Sequence, residues 1–80
     1  MPKTVVRDNE FIKLFGECVK TLREERKWSV YYLAMTTGIP RNQIHLIEKG
    51  IINTNISVIP ALCEAFEIDI SELINLNYSV

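Results

Sequence analysis

The chain has 80 residues, 48% of them hydrophobic, which is enough for one domain near the lower limit at which a single core holds without staples or a partner. All 9 lysines and arginines lie in residues 1–50 against 6 acids, so that part stands at +3, while residues 51–80 hold only Glu64, Glu67, Asp69 and Glu72 and stand at −4. The formal charge of −1 therefore hides a two-ended molecule whose basic end is able to meet phosphate. Two cysteines, no signal peptide and no apolar run near twenty residues predict a soluble cytoplasmic protein with reduced thiols and no membrane partner.

Residues 1–7, MPKTVVR, lack helical periodicity and precede Asp8, a good N-cap, so residues 1–8 are assigned to an N-terminal arm. A first helix is predicted from about Asn9 to Arg26, with Phe11, Phe15, Cys18, Val19 and Leu22 spaced for one buried stripe. On its outer side Lys13–Glu17 and Lys20–Glu24 are i,i+4 pairs worth a few tenths of a kcal/mol each, which marks a solvated face.

Trp28 stands just before Ser29, the expected N-cap of a second helix, and is read as a core or rim residue. That helix turns Leu33 and Ala34 inward and stops at Gly38, where a left-handed residue is required. Ile39 and Pro40 start another helix, about 40–49, because a proline in the first turn loses no intrahelical hydrogen bond. Ile44, Ile47 and Glu48 share one of its faces, leaving Asn42, His45, Leu46 and Lys49 on the other. Two short helices crossing steeply after a glycine turn, with the small Ala34 at the contact, make a helix-turn-helix whose second helix is exposed for use.

Residues 50–56 read as a loop, with Asn53, Thr54 and Asn55 as turn formers and at least one of Ile51 and Ile52 expected to be buried. A fourth helix repeats the apolar spacing at Ile59, Leu62, Cys63 and Phe66; a cap at Asn55 would put Pro60 one turn in and remove a hydrogen bond, so Ser57, which leaves Pro60 third at no cost, or a distorted first turn is favoured. Cys18 and Cys63 both lie on buried stripes and are core thiols rather than a reactive pair. The last helix opens at Asp69 with Glu72 three residues on, and is predicted to bury Ile70, Leu73 and Ile74. The helical domain thus spans residues 9–74. In residues 75–80 the period changes to two, with Ile74, Leu76, Tyr78 and Val80 alternating with polar residues, so the tail is either a short strand or disordered.

Several of these positions recur together: Leu22-Arg23, Leu33-Ala34, Gly38, the Ile-x-x-Ile-Glu-x-Gly run from Ile44 to Gly50, and the closing stretch Ala65 to Leu73. In this the chain resembles the phage-repressor (XRE) family of DNA-binding helix-turn-helix domains, over roughly Phe11 to Ile74. The resemblance implies an all-α, five-helix lambda-repressor-like fold with a possible short terminal strand. It also implies that Arg23 pairs with Glu48, clamping the first helix to the third. Arg41 is then suited to a guanine edge, Asn42 to adenine, Gln43 and His45 to a base or a phosphate, and Leu46 to a thymine methyl. Ser29, Tyr31, Lys49, Asn53, Thr54 and Asn55 would hold the DNA backbone, and Lys3 and Arg7 of the arm either lie along DNA or belong to a frayed end. The chain departs from the family at Val30, where a phosphate-gripping glutamine is usual, at Tyr31, which replaces a polar residue, and at Tyr32, where a capping glutamate is common.

The resulting expectation is a small transcriptional regulator that binds double-stranded DNA sequence-specifically at a palindromic operator, as a homodimer joined through its carboxyl-terminal segment. The alternative is a protein-interaction module of the same fold, an antitoxin or regulatory subunit, using Val30, Tyr31 and Leu46 as an apolar patch without DNA. An enzyme is excluded by inventory. One histidine and two buried-looking cysteines do not make a four-ligand zinc site, Glu24 and Glu25 point to different sides of their helix, and no phosphate-cradling glycine loop exists, so no cofactor or small-molecule ligand is expected.

Overall fold

Asp8 opens the first helix, α1 (Asn9–Glu25), by accepting a hydrogen bond from the Phe11 N–H at 3.0 Å. The computed structural model describes residues 8–74; the arm at 1–7, the alternating segment at 75–80 and the subunit contact assigned to it lie outside the described residues. Along α1 the apolar stripe is buried at Ile12, Phe15, Cys18 and Val19, with Phe11 and Leu22 packed half-buried beside it. The helix ends one residue before the predicted Arg26, which is its C-cap, and Lys27 follows at φ 60. Lys13–Glu17 and Lys20–Glu24 do not close into ion pairs. All four side chains stay in solvent, where such pairs gain little.

The turn after α1 is tied down by the side chain of Arg26. Its Nη1 donates to the Leu22 carbonyl at 3.1 Å and its Nη2 to the Phe66 carbonyl at 2.9 Å, while the guanidinium lies 5.0 Å from the Phe66 ring centre. Trp28 stacks on Phe66 at 5.5 Å and meets Tyr32 at 4.9 Å, so it is a rim residue that closes one end of the core.

Ser29 caps the second helix, α2 (Val30–Thr37), through its hydroxyl, which accepts from the Tyr32 N–H at 2.9 Å. Gly38 ends α2 at φ 81, and its N–H returns to the Ala34 carbonyl. The third helix, α3 (Arg41–Glu48), begins after Pro40, which stands at its N-cap one position earlier than a first-turn proline would. Inside the crossing of α1 and α3, Gly16 is buried, and a Cβ there would run into the Ile47 carbonyl oxygen. The two backbones approach that closely only because residue 16 has no side chain.

The loop from Lys49 keeps Ile52 half-buried against the core and leaves Ile51 exposed. Ser57 precedes the fourth helix, α4 (Val58–Phe66), but not as an ordinary side-chain cap. It is already helical at φ −70 and ψ −12, and its hydroxyl donates to Asn55 Oδ1 at 2.7 Å. The first turn is closed instead by tight bonds from Val58 N–H to the Asn55 carbonyl and from Ile59 N–H to the Ile56 carbonyl. Pro60 falls third, where no N–H is needed.

The fifth helix, α5 (Ile70–Ile74), starts with the Asp69 N–H donating to Glu72 Oε1 at 2.9 Å, the returning half of a capping box. Leu73 is wholly buried, but Ile70 is 53% exposed, against the sequence expectation. A five-residue helix is little more than one turn, so α1 and α4 cover its Leu73 end and leave Ile70 at the open end.

All five helices contribute to one core, from Phe15 and Val19 through Leu33, Ile39, Ile44 and Ile47 to Val58, Leu62, Phe66 and Leu73. Each fully buried aliphatic or aromatic side chain contributes about 1.5–3 kcal/mol. This core fixes α3 with one face inward and the other free.

Candidate nucleic-acid interface

Ile44 and Ile47 point α3 into the core at 1% and 2% exposure, and the helical period then forces Arg41, Asn42, His45 and Lys49 outward, where all four are exposed. Of the residues assigned from sequence to base readout, Gln43 and Leu46 differ from these. Gln43 is half-buried and its Nε2 donates to Thr54 Oγ1 at 3.0 Å, which ties α3 to the following loop. Leu46 is half-buried rather than open on the outer face. The Arg41 guanidinium lies 5.7 Å from the ring centre of Tyr31, so an α2 aromatic lines up the first cation of α3.

Among the residues assigned to the DNA backbone, Ser29, Tyr31, Lys49, Asn53 and Asn55 are exposed and Thr54 is half-buried. The Ser29 oxygen is engaged by the Tyr32 N–H, and Asn55 Oδ1 by Ser57. These residues frame α3 from two sides, Ser29 and Tyr31 at the start of α2 and residues 53–55 in the loop beyond it.

Arg23 and Glu48 are joined twice, Nε to Oε2 at 2.8 Å and Nη2 to Oε1 at 3.1 Å, and Nη1 of the same guanidinium donates to the Trp28 carbonyl at 2.8 Å. The side chains are 12% and 7% exposed. The Glu48 hydrogen bond holds the Arg23 guanidinium above its already high range against the opposing cost of burial, so the cation is permanent. This bidentate pair links α1, α3 and the turn before α2 at one point.

Neither cysteine is placed for chemistry. Burial, and then the charge of Glu17, push the Cys18 thiol up; burial, and then Asp69 and Glu72, do the same for Cys63. Thiols so shifted are poor nucleophiles. Among the described residues no group of three His, Cys, Asp or Glu side chains is arranged to hold a metal ion, and no helix is long and apolar enough to cross a membrane.

A family model described as a helix-turn-helix domain matches residues 16–79. The chain belongs to the helix-turn-helix domain family. Among solved structures, this helix-turn-helix chain is similar to the restriction-modification controller protein C.AhdI from Aeromonas hydrophila, at 29% identity and a TM-score of 0.74, over 82% of this chain and 98% of that one. Two more distant likenesses show the fold alone. A transcriptional regulator of the HTH_3 family from Vibrio cholerae matches at 22% identity and a TM-score of 0.81, over 89% of this chain but only 40% of that one. A hypothetical transcription factor, NHTF, from Neisseria matches at 19% identity and a TM-score of 0.75, over 92% and 86%. No curated protein matches. The five-helix, lambda-repressor-like architecture is thereby established.

The candidate interface contains two tethers that the sequence did not signal, Gln43 to Thr54 and Arg41 to Tyr31. Both join residues on different elements, and no periodicity within one element reports them.

Proposed function

We propose that this chain is a small transcriptional regulator of the XRE type that binds double-stranded DNA sequence-specifically, with α3 in the major groove. The observation that carries the reading is the outer face of α3: Arg41, Asn42, His45 and Lys49 are all exposed on a helix whose other face is locked into the core. Arg41 and Asn42 carry the bidentate chemistry suited to guanine and adenine edges, and Lys49 with residues 53–55 and the start of α2 suits phosphates that set register. Gln43, held by Thr54, acts at the border of that face, and Leu46 offers only its edge to a thymine methyl. The likeness to C.AhdI, a restriction-modification controller protein matched over 98% of its length, supports a regulatory role.

One eight-residue helix reads few base pairs, so the regulator acts as a homodimer on a palindromic operator with half-sites one DNA turn apart. Ile70, exposed on α5, offers an apolar contact for that dimer. The protein-interaction alternative loses its main support, because Val30 and Leu46 are half-buried and Tyr31, the exposed member, is faced by Arg41.

Selection of bound duplexes from a random pool, followed by titration at several salt concentrations, tests the reading. A defined motif whose binding weakens steeply with salt is expected. Retention of no duplex at low salt overturns it.

A further inference from the structure

Lys20 carries the strongest signal that the sequence hides. By spacing it pairs with Glu24 on a solvated face, yet that pair does not form. Lys20 instead borders a notch of about 210 Å³ together with Arg23 of α1, Val30 of α2, and His45, Glu48 and Lys49 at the end of α3. Arg23 and Glu48 neutralise each other at 2.8 Å. The Val30 side chain contributes an apolar wall and no donor. What remains around the concavity is two exposed lysines from different helices and an exposed imidazole, with no unpaired carboxylate in the lining.

Two lysines that border one notch carry like charges on its rim, and an anion seated there turns their repulsion into two attractions. Lysine binds phosphate as a point charge and needs no fixed approach geometry. The notch is smaller than the roughly 300–1,000 Å³ of a small-molecule pocket, so it suits one anionic group rather than a whole ligand. It also adjoins the outer face of α3, since His45 and Lys49 belong to both.

We propose that this notch seats one phosphate of the DNA backbone, with Lys20 and Lys49 as its charged ligands and the His45 ring as a further donor. The proposal rests on the DNA-binding reading and brings α1 into the interface.

Its test is the salt dependence of duplex binding by the full chain and by Lys20→Gln and Lys20→Arg, on a selected duplex and on a scrambled one. Lys20→Gln should weaken both duplexes by the same factor and make the log–log salt slope shallower by about 0.9, so that it loses about 3-fold less affinity than wild type between roughly 50 and 200 mM salt. Lys20→Arg should keep the wild-type slope, and neither variant should change the thermal midpoint. Ethylation of one phosphate per half-site should inhibit the wild type more than Lys20→Gln, which keeps Lys49 and His45 on that phosphate. A duplex bound with an unchanged slope by Lys20→Gln overturns the seat alone. So does a notch that takes up inorganic phosphate, seen as shifted Lys20 and Lys49 resonances, while the DNA slope stays fixed. Failure of the wild type to bind any duplex at low salt overturns the DNA-binding reading itself.

Discussion

The two sides of α3 are built by different rules. On the inner side Ile44 and Ile47 are almost wholly buried, Gly16 lets the α1 backbone reach the Ile47 carbonyl, and Glu48 is held by both forks of Arg23. On the outer side Arg41, Asn42, His45 and Lys49 stand in solvent, with the Arg41–Tyr31 ring contact and the neighbouring Gln43–Thr54 hydrogen bond as the side-chain tethers. The back of the helix therefore decides where it sits, and the front can change its residues without moving it. A reading surface needs that division, because specificity is altered by substitution only where substitution leaves the fold intact.

The contrast breaks most severely at Gly16. Gly16→Ala should cost about 3 kcal/mol or more, because the added Cβ meets backbone and not a side chain that can swing away; urea denaturation measures it. Glu48→Gln comes next, at about 3 kcal/mol, since it strands a guanidinium that is mostly buried. The double variant Arg23→Met/Glu48→Leu should recover much of that loss. Equal stability of the single and double variants in thermal melts would show that the two side chains are not coupled.

Gly50→Ala should destabilise more than Gly38→Ala. Both glycines have positive φ, but a Cβ at residue 50 also comes within 2.9 Å of the Lys13 Cα, whereas at residue 38 nothing lies within 4 Å and only the backbone cost of about 1 kcal/mol applies. On the front, Asn42→Ala should stay within about 0.5 kcal/mol of wild-type stability. The smallest effect concerns pH. Burial raises the Cys18 thiol above its ordinary 9.0, so its contribution is fully present below the unfolded-state value and is lost as pH rises through the folded one. In reducing buffer the wild type should lose more stability than Cys18→Ala between about pH 8 and 10.

Features confined to one element were legible in the sequence. The caps at Asp8 and Ser29, the left-handed stop at Gly38, the Asp69–Glu72 box and the buried stripes all follow from spacing along a single helix. The features that escaped depend on which elements meet. Gly16 sits in the middle of a helical pattern and gives no local sign that another backbone touches it. Ile70 fits the α5 stripe but lies past the edge of its neighbours. Arg26 looks like one more charge at the end of α1, yet it bonds the Phe66 carbonyl forty residues away. For the candidate interface, the outward placing of Asn42, His45 and Lys49 was legible from the period, while the half-burial of Leu46, the fixing of Gln43 by Thr54 and the facing of Arg41 and Tyr31 were not.

The claim that the front of α3 reads base pairs is tested most directly by titrating Arg41→Ala against the selected duplex and against the same duplex with each base pair changed in turn. A loss of about 1–3 kcal/mol on the selected duplex and relaxed preference at one base pair per half-site are expected, with the thermal midpoint unchanged. An equal loss on every duplex would make Arg41 a phosphate contact, and wild-type preference at every position would contradict the account.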